Sequence, residues 1–263
     1  MPHLTVNGIN LNYQDTQEDK PAIVFNHGFF MDSTMFDAQA EALRDQYRII
    51  SIDARGFGET SDNGEPFTYW DLAKDTIALM DALDIETAVL AGMSQGGFTA
   101  LRAALLAPER FTALVLISTE AQATPEAKKA GYYELFSVWE QHGPVDGLME
   151  GLSGQLIGDP AFTAPWIAKW KQIPYSQIAH AGTNLIERDD VTDRLGELKM
   201  PALVVSGALD AGLPVDEQTE FALALNAKGL VVFETGHSLN ITKADEFNAV
   251  LQEFLAEVTA PAV

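Results

Sequence analysis

Two short glycine-containing stretches hold the residues of this chain best suited to covalent chemistry: Gly92-Met93-Ser94-Gln95-Gly96 and Gly236-His237-Ser238. A serine hydroxyl attacks a carbonyl only when a base takes its proton in the same event. Imidazole suits that task, and it can afterwards return the proton to a leaving group. A carboxylate is the third requirement, to hold the imidazole in one tautomer and to offset the charge it gains. Four acids stand near the ends of apolar runs: Glu120, Asp210, Asp216 and Glu234. Asp216 reads as the start of a helix, and Glu234 is only three residues from His237, which leaves Asp210 and Glu120 in competition.

The flanking sequence says how these groups are to be held. An apolar, β-prone run at 87–91 precedes Ser94, and a helix-like run at 98–107 follows it. The pattern is strand, tight turn, helix, with the serine at the apex in a strained backbone. Gly92 and Gly96 are expected where no Cβ fits. The helix start aims its N–H groups, that of Gln95 among them, and its positive dipole end at the reacting atoms. The run 201–207 reads as a buried strand opening into the loop of Asp210, and 230–233 as a strand leading to His237. Residues just past strand ends are where an open parallel sheet places its ligands. Upstream, Asn7-Gly8 predicts an antiparallel hairpin. Strands at 22–25, 48–52 and 113–117 alternate with helices at about 33–46, capped by Asp32, and about 68–83. Such alternation predicts a mostly parallel, doubly wound α/β sheet.

The alternation stops at about residue 120. From there to 190 the chain shows helix-compatible patches rich in large apolar groups, among them Phe136, Trp139, Trp166 and Trp170, broken at Gly143-Pro144, Asp159-Pro160 and Pro174. This predicts a helical cap at 120–190 inserted into a core formed by 1–119 and 191–263. The underside of such a cap would line a pocket.

Composition narrows the function classes. With 38 acidic against 16 basic residues the net charge is −22, a field that repels nucleic acids and anionic lipid surfaces. The absence of cysteine excludes disulfides, thiolate nucleophiles and Cys-ligated metals. No apolar run approaches the ~20 residues that span a bilayer, and the N-terminus lacks the pattern of a signal peptide, so a cytoplasmic location is expected. No His/Asp cluster stands at metal-ligand spacing, and no dinucleotide or phosphate-loop fingerprint is present, so the expected mechanism needs neither metal nor cofactor.

Five segments in order give the chain a resemblance to the α/β-hydrolase superfamily over essentially its whole length. They are Asn26-His27-Gly28-Phe29, Asp53-Ala54-Arg55-Gly56-Phe57-Gly58, the Ser94 turn (a nucleophile elbow), Gly207-Ala208-Leu209-Asp210, and Gly236-His237. Within the superfamily it is similar to small esterases, lactonases and cofactor-free haloperoxidase-like members. The resemblance implies Ser94 as nucleophile, His237 as base and Asp210 as acid, with Glu120 as the competitor because some hydrolases of this fold take the acid from the earlier strand. It implies an oxyanion hole from the N–H groups of Gln95 and Phe29. The family often has proline after this position; Phe30 stands there instead, and its ring is expected to narrow the pocket. Phe30, Met93, Phe136, Trp139 and Trp166 are the candidate pocket residues. His27 is expected to tie loops together, and Asp53 and Arg55 to pair structurally near the site. The implied reaction is cleavage of a small-molecule carboxylic ester. Alternatives are an enol-lactonase, a carbon–carbon bond hydrolase, a perhydrolase or haloperoxidase side activity, or a receptor that keeps the fold with little turnover. Typical lactonase and carbon–carbon hydrolase substrates carry carboxylates and need a buried cation. The cap's only lysines are Lys128, Lys129, Lys169 and Lys171, in a strongly acidic chain, which favours a neutral ester.

Overall fold

A computed structural model describes residues 2–60 and 63–259. Eight strands form one sheet in the order β1-β2-β4-β3-β5-β6-β7-β8: β1 (His3–Val6), β2 (Ile9–Asp15), β3 (Ala22–Asn26), β4 (Arg48–Ile52), β5 (Ala88–Met93), β6 (Phe111–Ile117), β7 (Ala202–Gly207) and β8 (Gly229–Phe233). The first two make the predicted hairpin about Asn7-Gly8, and β2 runs antiparallel to β4. All other pairings are parallel. β3, β5 and β7 are buried at every position, as apolar runs covered on both faces should be.

Helices α1 (Asp37–Leu43), α2 (Tyr69–Ala82), α3 (Gln95–Leu106), α8 (Val215–Ala224), α9 (Leu239–Thr242) and α10 (Ala244–Thr259) lie outside a run of four inserted between β6 and β7: α4 (Glu126–His142), α5 (Asp146–Leu156), α6 (Pro160–Trp170) and α7 (Tyr175–Ile186). The helix expected at 33–46 divides: Ser33–Phe36 is a 3-10 turn that passes into α1. Its predicted cap is in place, with Asp32 accepting from the Thr34 N–H at 3.0 Å. Thr68 and Asp71 form a reciprocal capping box at the start of α2. Two apolar clusters lie within the fold. One continues without a break from the sheet, through Phe25, Ile49 and Ile117, into the inserted helices at Phe136, Trp139, Met149 and Trp170. Among the described residues no helix is long and apolar enough to cross a membrane.

The register sets the site. Asn26 aligns with Gly92, Met93 with Ile117 and Gly207 with Phe233. The loops that leave β3, β5, β6, β7 and β8 therefore emerge along one edge of the sheet, carrying Phe29, Ser94, Glu120, Asp210 and His237.

Candidate active site

Ser94 occupies the turn between β5 and α3 with φ 52° and ψ −118°. A non-glycine residue enters that region at about 1–3 kcal/mol, and it stays only where its surroundings fix it. Here they do. The Ser94 N–H donates to Ile117 O at 2.9 Å, and its carbonyl accepts from the Gly97 N–H at 2.8 Å and from Thr119 Oγ1 at 2.7 Å. The flanking glycines are needed for close approach: a Cβ on Gly92 would collide with the carbonyl of Gly96, and one on Gly96 with the carbonyl of Asn26. Gln95 is the first residue of α3, so its N–H has no carbonyl one turn back to bond.

The loops after β7 and β8 are clasped together. Ala208 N–H donates to Phe233 O at 2.8 Å and Leu209 N–H to Thr235 O at 2.9 Å. The backbones meet so closely that a Cβ on Gly207 would strike the carbonyls of Gly236 and Thr235. This contact brings His237 Nδ1 to 2.5 Å from Asp210 Oδ2, with side-chain exposures of 13% and 4%. The other Asp210 oxygen accepts from the Gly212 N–H at 3.0 Å. Glu120, the competing acid, is turned to Arg188, which meets it at 2.5 Å and lies over the Phe98 ring. Burial pushes the Glu120 carboxyl upward against the pull of Arg188. The geometry thus joins Asp210, rather than Glu120, to His237.

On the other flank, the loop after β3 carries Phe29 and Phe30. Among the described residues no carbonyl takes the Phe29 N–H. Phe30 sits at φ 66°, a left-handed backbone for a bulky side chain. Its ring stacks on Trp139 at 4.9 Å and 6°, and its carbonyl accepts from the Trp170 indole N–H at 2.8 Å. Phe136 meets Phe29 edge-on at 5.7 Å. The five candidate pocket residues are all buried in the cluster that spans sheet and insertion. Met93, 1% exposed, lies under the loop: a Cβ on Gly28 would come within 2.6 Å of its sulfur. Trp166 lies beneath the Lys169 ammonium, 4.6 Å from the ring centroid.

The residues read as structural are deeply engaged. His27 Nε2 accepts from the Ala54 N–H at 2.9 Å, and Nδ1 faces Gly28 O at 2.7 Å, which fixes the neutral tautomer with the proton on Nδ1. Burial holds the His27 pKa below its ordinary value. Among the described residues the expected pairing of Asp53 with Arg55 is not what forms: Asp53 accepts from Asn12 Nδ2 at 2.6 Å and Ser33 N–H at 2.7 Å, while Arg55 makes a two-point pair with Asp75 at 2.6 and 2.8 Å.

The sequence pattern did not single out Lys169 and Asp32 as partners. The ammonium reaches both carboxylate oxygens, at 2.7 and 3.0 Å, and Thr34 Oγ1 at 2.6 Å. Burial opposes charge on Asp32, but Lys169 and Thr34 outweigh it and hold the carboxyl below its usual range. The insertion has further ties to the loops of Asp210 and His237: Lys128 donates to Gly212 O at 2.9 Å, and Ser238 Oγ to Leu156 O at 2.5 Å.

A sequence profile described as the alpha/beta hydrolase fold matches residues 21–141. A putative carbamate hydrolase, RutD, of Agrobacterium fabrum is 30% identical over 258 residues, covering 91% of this chain and 95% of its own. The chain belongs to the α/β hydrolase family. Among other relatives of this α/β hydrolase, 3-oxoadipate enol-lactonase 1 of Acinetobacter baylyi is 26% identical over 92% of this chain and 91% of its own length. The solved structure of a thermophilic esterase from Thermogutta terrifontis, malate bound, superposes with a TM-score of 0.89 at 28% identity, over 99% of this chain and all of that one. Relatives of both kinds agree with hydrolase activity.

Proposed function

We propose that this hydrolase cleaves a small, neutral carboxylic ester through an acyl-enzyme on Ser94. His237 Nε2 takes the proton of Ser94 Oγ as the oxygen attacks the ester carbonyl, and Asp210 holds the proton on Nδ1 and stabilises the imidazolium. The N–H groups of Phe29 and Gln95 receive the oxyanion. His237 then protonates the departing alkoxide, and a water activated by the same imidazole releases the acid and frees the serine. Residues 120–190 act as a cap whose aromatic side chains bound the acyl or alcohol group.

The observation that carries this reading is the coupled Asp210–His237 pair on the sheet edge from which the strained Ser94 projects. Neutrality of the substrate is supported by the cations. Among the described residues Lys128 is bonded to the Gly212 carbonyl, Lys129 to Glu126, Lys169 to Asp32 and Lys171 to Asp146. The buried Arg55, Arg102 and Arg188 face Asp75, Asp189 and Glu120. A substrate carboxylate would have to share or displace one of these partners. The enol-lactonase relative favours a second reading, a lactone in the same site. Titration with a fluorophosphonate, followed by peptide mapping, should label Ser94 one-to-one, and Ser94→Ala should lose about 10⁴-fold or more in kcat on p-nitrophenyl esters. Graded neutral esters run beside carboxylate-bearing lactones decide between the two substrates. Near-wild-type turnover by purified Ser94→Ala would refute the reading.

A further inference from the structure

We propose that α6 sets the geometry of the oxyanion-binding loop, with Lys169 and Trp170 acting as positioning residues for the Phe29 N–H. The inference rests on the assignment of Ser94 above, but it gives the insertion a part in the chemical step as well as in substrate choice.

The loop must present one N–H in a fixed direction while Phe30 is held at φ 66°. Nothing in the loop's own sequence favours that conformation for a phenylalanine. Beyond the loop's own turn, what holds it comes from the insertion. The Trp170 indole takes the Phe30 carbonyl at 2.8 Å, one residue beyond the proposed oxyanion donor. Trp139 stacks on the Phe30 ring. Two residues further on, Lys169 grips Asp32 by both oxygens and Thr34 by its hydroxyl. The ammonium is steadied in turn by the face of Trp166, on the same helix. Within the loop the Met31 N–H closes a turn on Gly28 O at 3.0 Å. The last two residues of α6 therefore clamp the loop on both sides of Met31, and the peptide carrying the Phe29 N–H lies inside that short turn.

A clamp that only fastened the insertion to the sheet would alter stability and leave catalysis alone. Breaking a clamp that aims the N–H instead lowers kcat and weakens binding of a tetrahedral transition-state analogue by the same factor, with KM little changed. Trp170→Phe keeps the aromatic volume and removes the donor. Lys169→Met keeps the stem and removes the charge, and Lys169→Arg restores it. The Lys169 side chain is 41% exposed, so its variants probe the loop without opening the apolar core. Each protein is first titrated with a fluorophosphonate and checked by thermal unfolding, then assayed on a p-nitrophenyl ester and with an alkyl boronic acid. Expected for Trp170→Phe is a fall of about 10- to 100-fold in kcat, a KM within about twofold, and a matching loss of boronate affinity. Lys169→Met should fall less, and Lys169→Arg should recover most of the loss. Folded Trp170→Phe or Lys169→Met with wild-type kcat and boronate affinity would overturn the inference while wild-type labelling at Ser94 stands. Wild-type protein that fails to label at Ser94 would overturn the underlying site assignment as well.

Discussion

Replacing Asp210 by asparagine forces a choice between two hydrogen bonds that only a carboxylate satisfies together. Oδ2 faces His237 Nδ1 at 2.5 Å and Oδ1 accepts from the Gly212 N–H at 3.0 Å. An asparagine has one acceptor and one donor for these two places. The Gly212 N–H cannot change its polarity, whereas an imidazole can move its proton at little cost. The amide oxygen therefore turns to Gly212 and the NH₂ to Nδ1, and the imidazole proton shifts to Nε2. That nitrogen then donates toward the serine and can no longer take its proton. The expected fall in kcat is about 10⁴-fold, or about 5.5 kcal/mol in the barrier, with little change in fold because shape and volume are kept. Glu120→Gln makes the paired control. It leaves Arg188 buried with a neutral partner, so its penalty, about 3 kcal/mol, should appear in thermal unfolding while kcat in the folded protein stays within a few-fold of wild type. Steady-state turnover of a p-nitrophenyl ester and calorimetry on both variants make the test. Folded Asp210→Asn with turnover within tenfold of wild type, or a collapse of kcat in Glu120→Gln, would refute the reasoning.

Two further expectations concern the insertion. Phe136→Ala removes a ring packed between Phe29 and Gly182, and should cost about 3–5 kcal/mol in stability while moving the ester preference toward longer acyl or alcohol groups; an unchanged chain-length profile in the folded variant would mean that the ring serves packing alone. Asp32 is held below the ordinary carboxylate range, so its pairing stabilises the fold fully above about pH 4 and is lost as pH falls through the folded value. The stability gap between wild type and Lys169→Met should therefore be widest at neutral pH and close below about pH 4, as followed by thermal unfolding from pH 3 to 7; a gap independent of pH would assign Lys169 a role other than pairing with Asp32.

The strands were readable because each is a short apolar run ended by glycine or a polar turn, and β4 matched residue for residue. The Ser94 turn was readable because its glycines answer to a local demand, the approach of backbones within one strand–turn–helix unit. The N-cap Asp32 is local too. Contacts between distant segments were not readable. Lys169 and Asp32 are 137 residues apart, and Arg188 and Glu120 are 68 apart. In the sequence Lys169 is one of four lysines of the insertion, with nothing in its neighbours to set it aside. The left-handed backbone of Phe30 was hidden for the same reason, since the side chains that brace its local turn lie on α4 and α6. The sequence left Met93 open between pocket and core, and what it could not show is the contact of its sulfur with the Gly28 backbone. The expected helix at 33–46 divided because Asp32 caps a tight 3-10 turn before α1 begins.

The placing of the indoles has a spectroscopic consequence. Of the four tryptophans, Trp139, Trp166 and Trp170 are buried in the insertion, and two of them touch Phe30 directly, by stacking and by an N–H bond. Trp70, half-buried, stands on α2 with its N–H on Asp189. The ultraviolet emission of the native chain is thus weighted toward the few residues that grip the Phe29–Asp32 loop. A shift of that emission to longer wavelength registers wetting of the grip before the sheet unravels, and an absorbing nitrophenyl group brought to Ser94 drains it by energy transfer. The protein carries, without any label, an optical gauge of the loop on which its chemistry is proposed to depend.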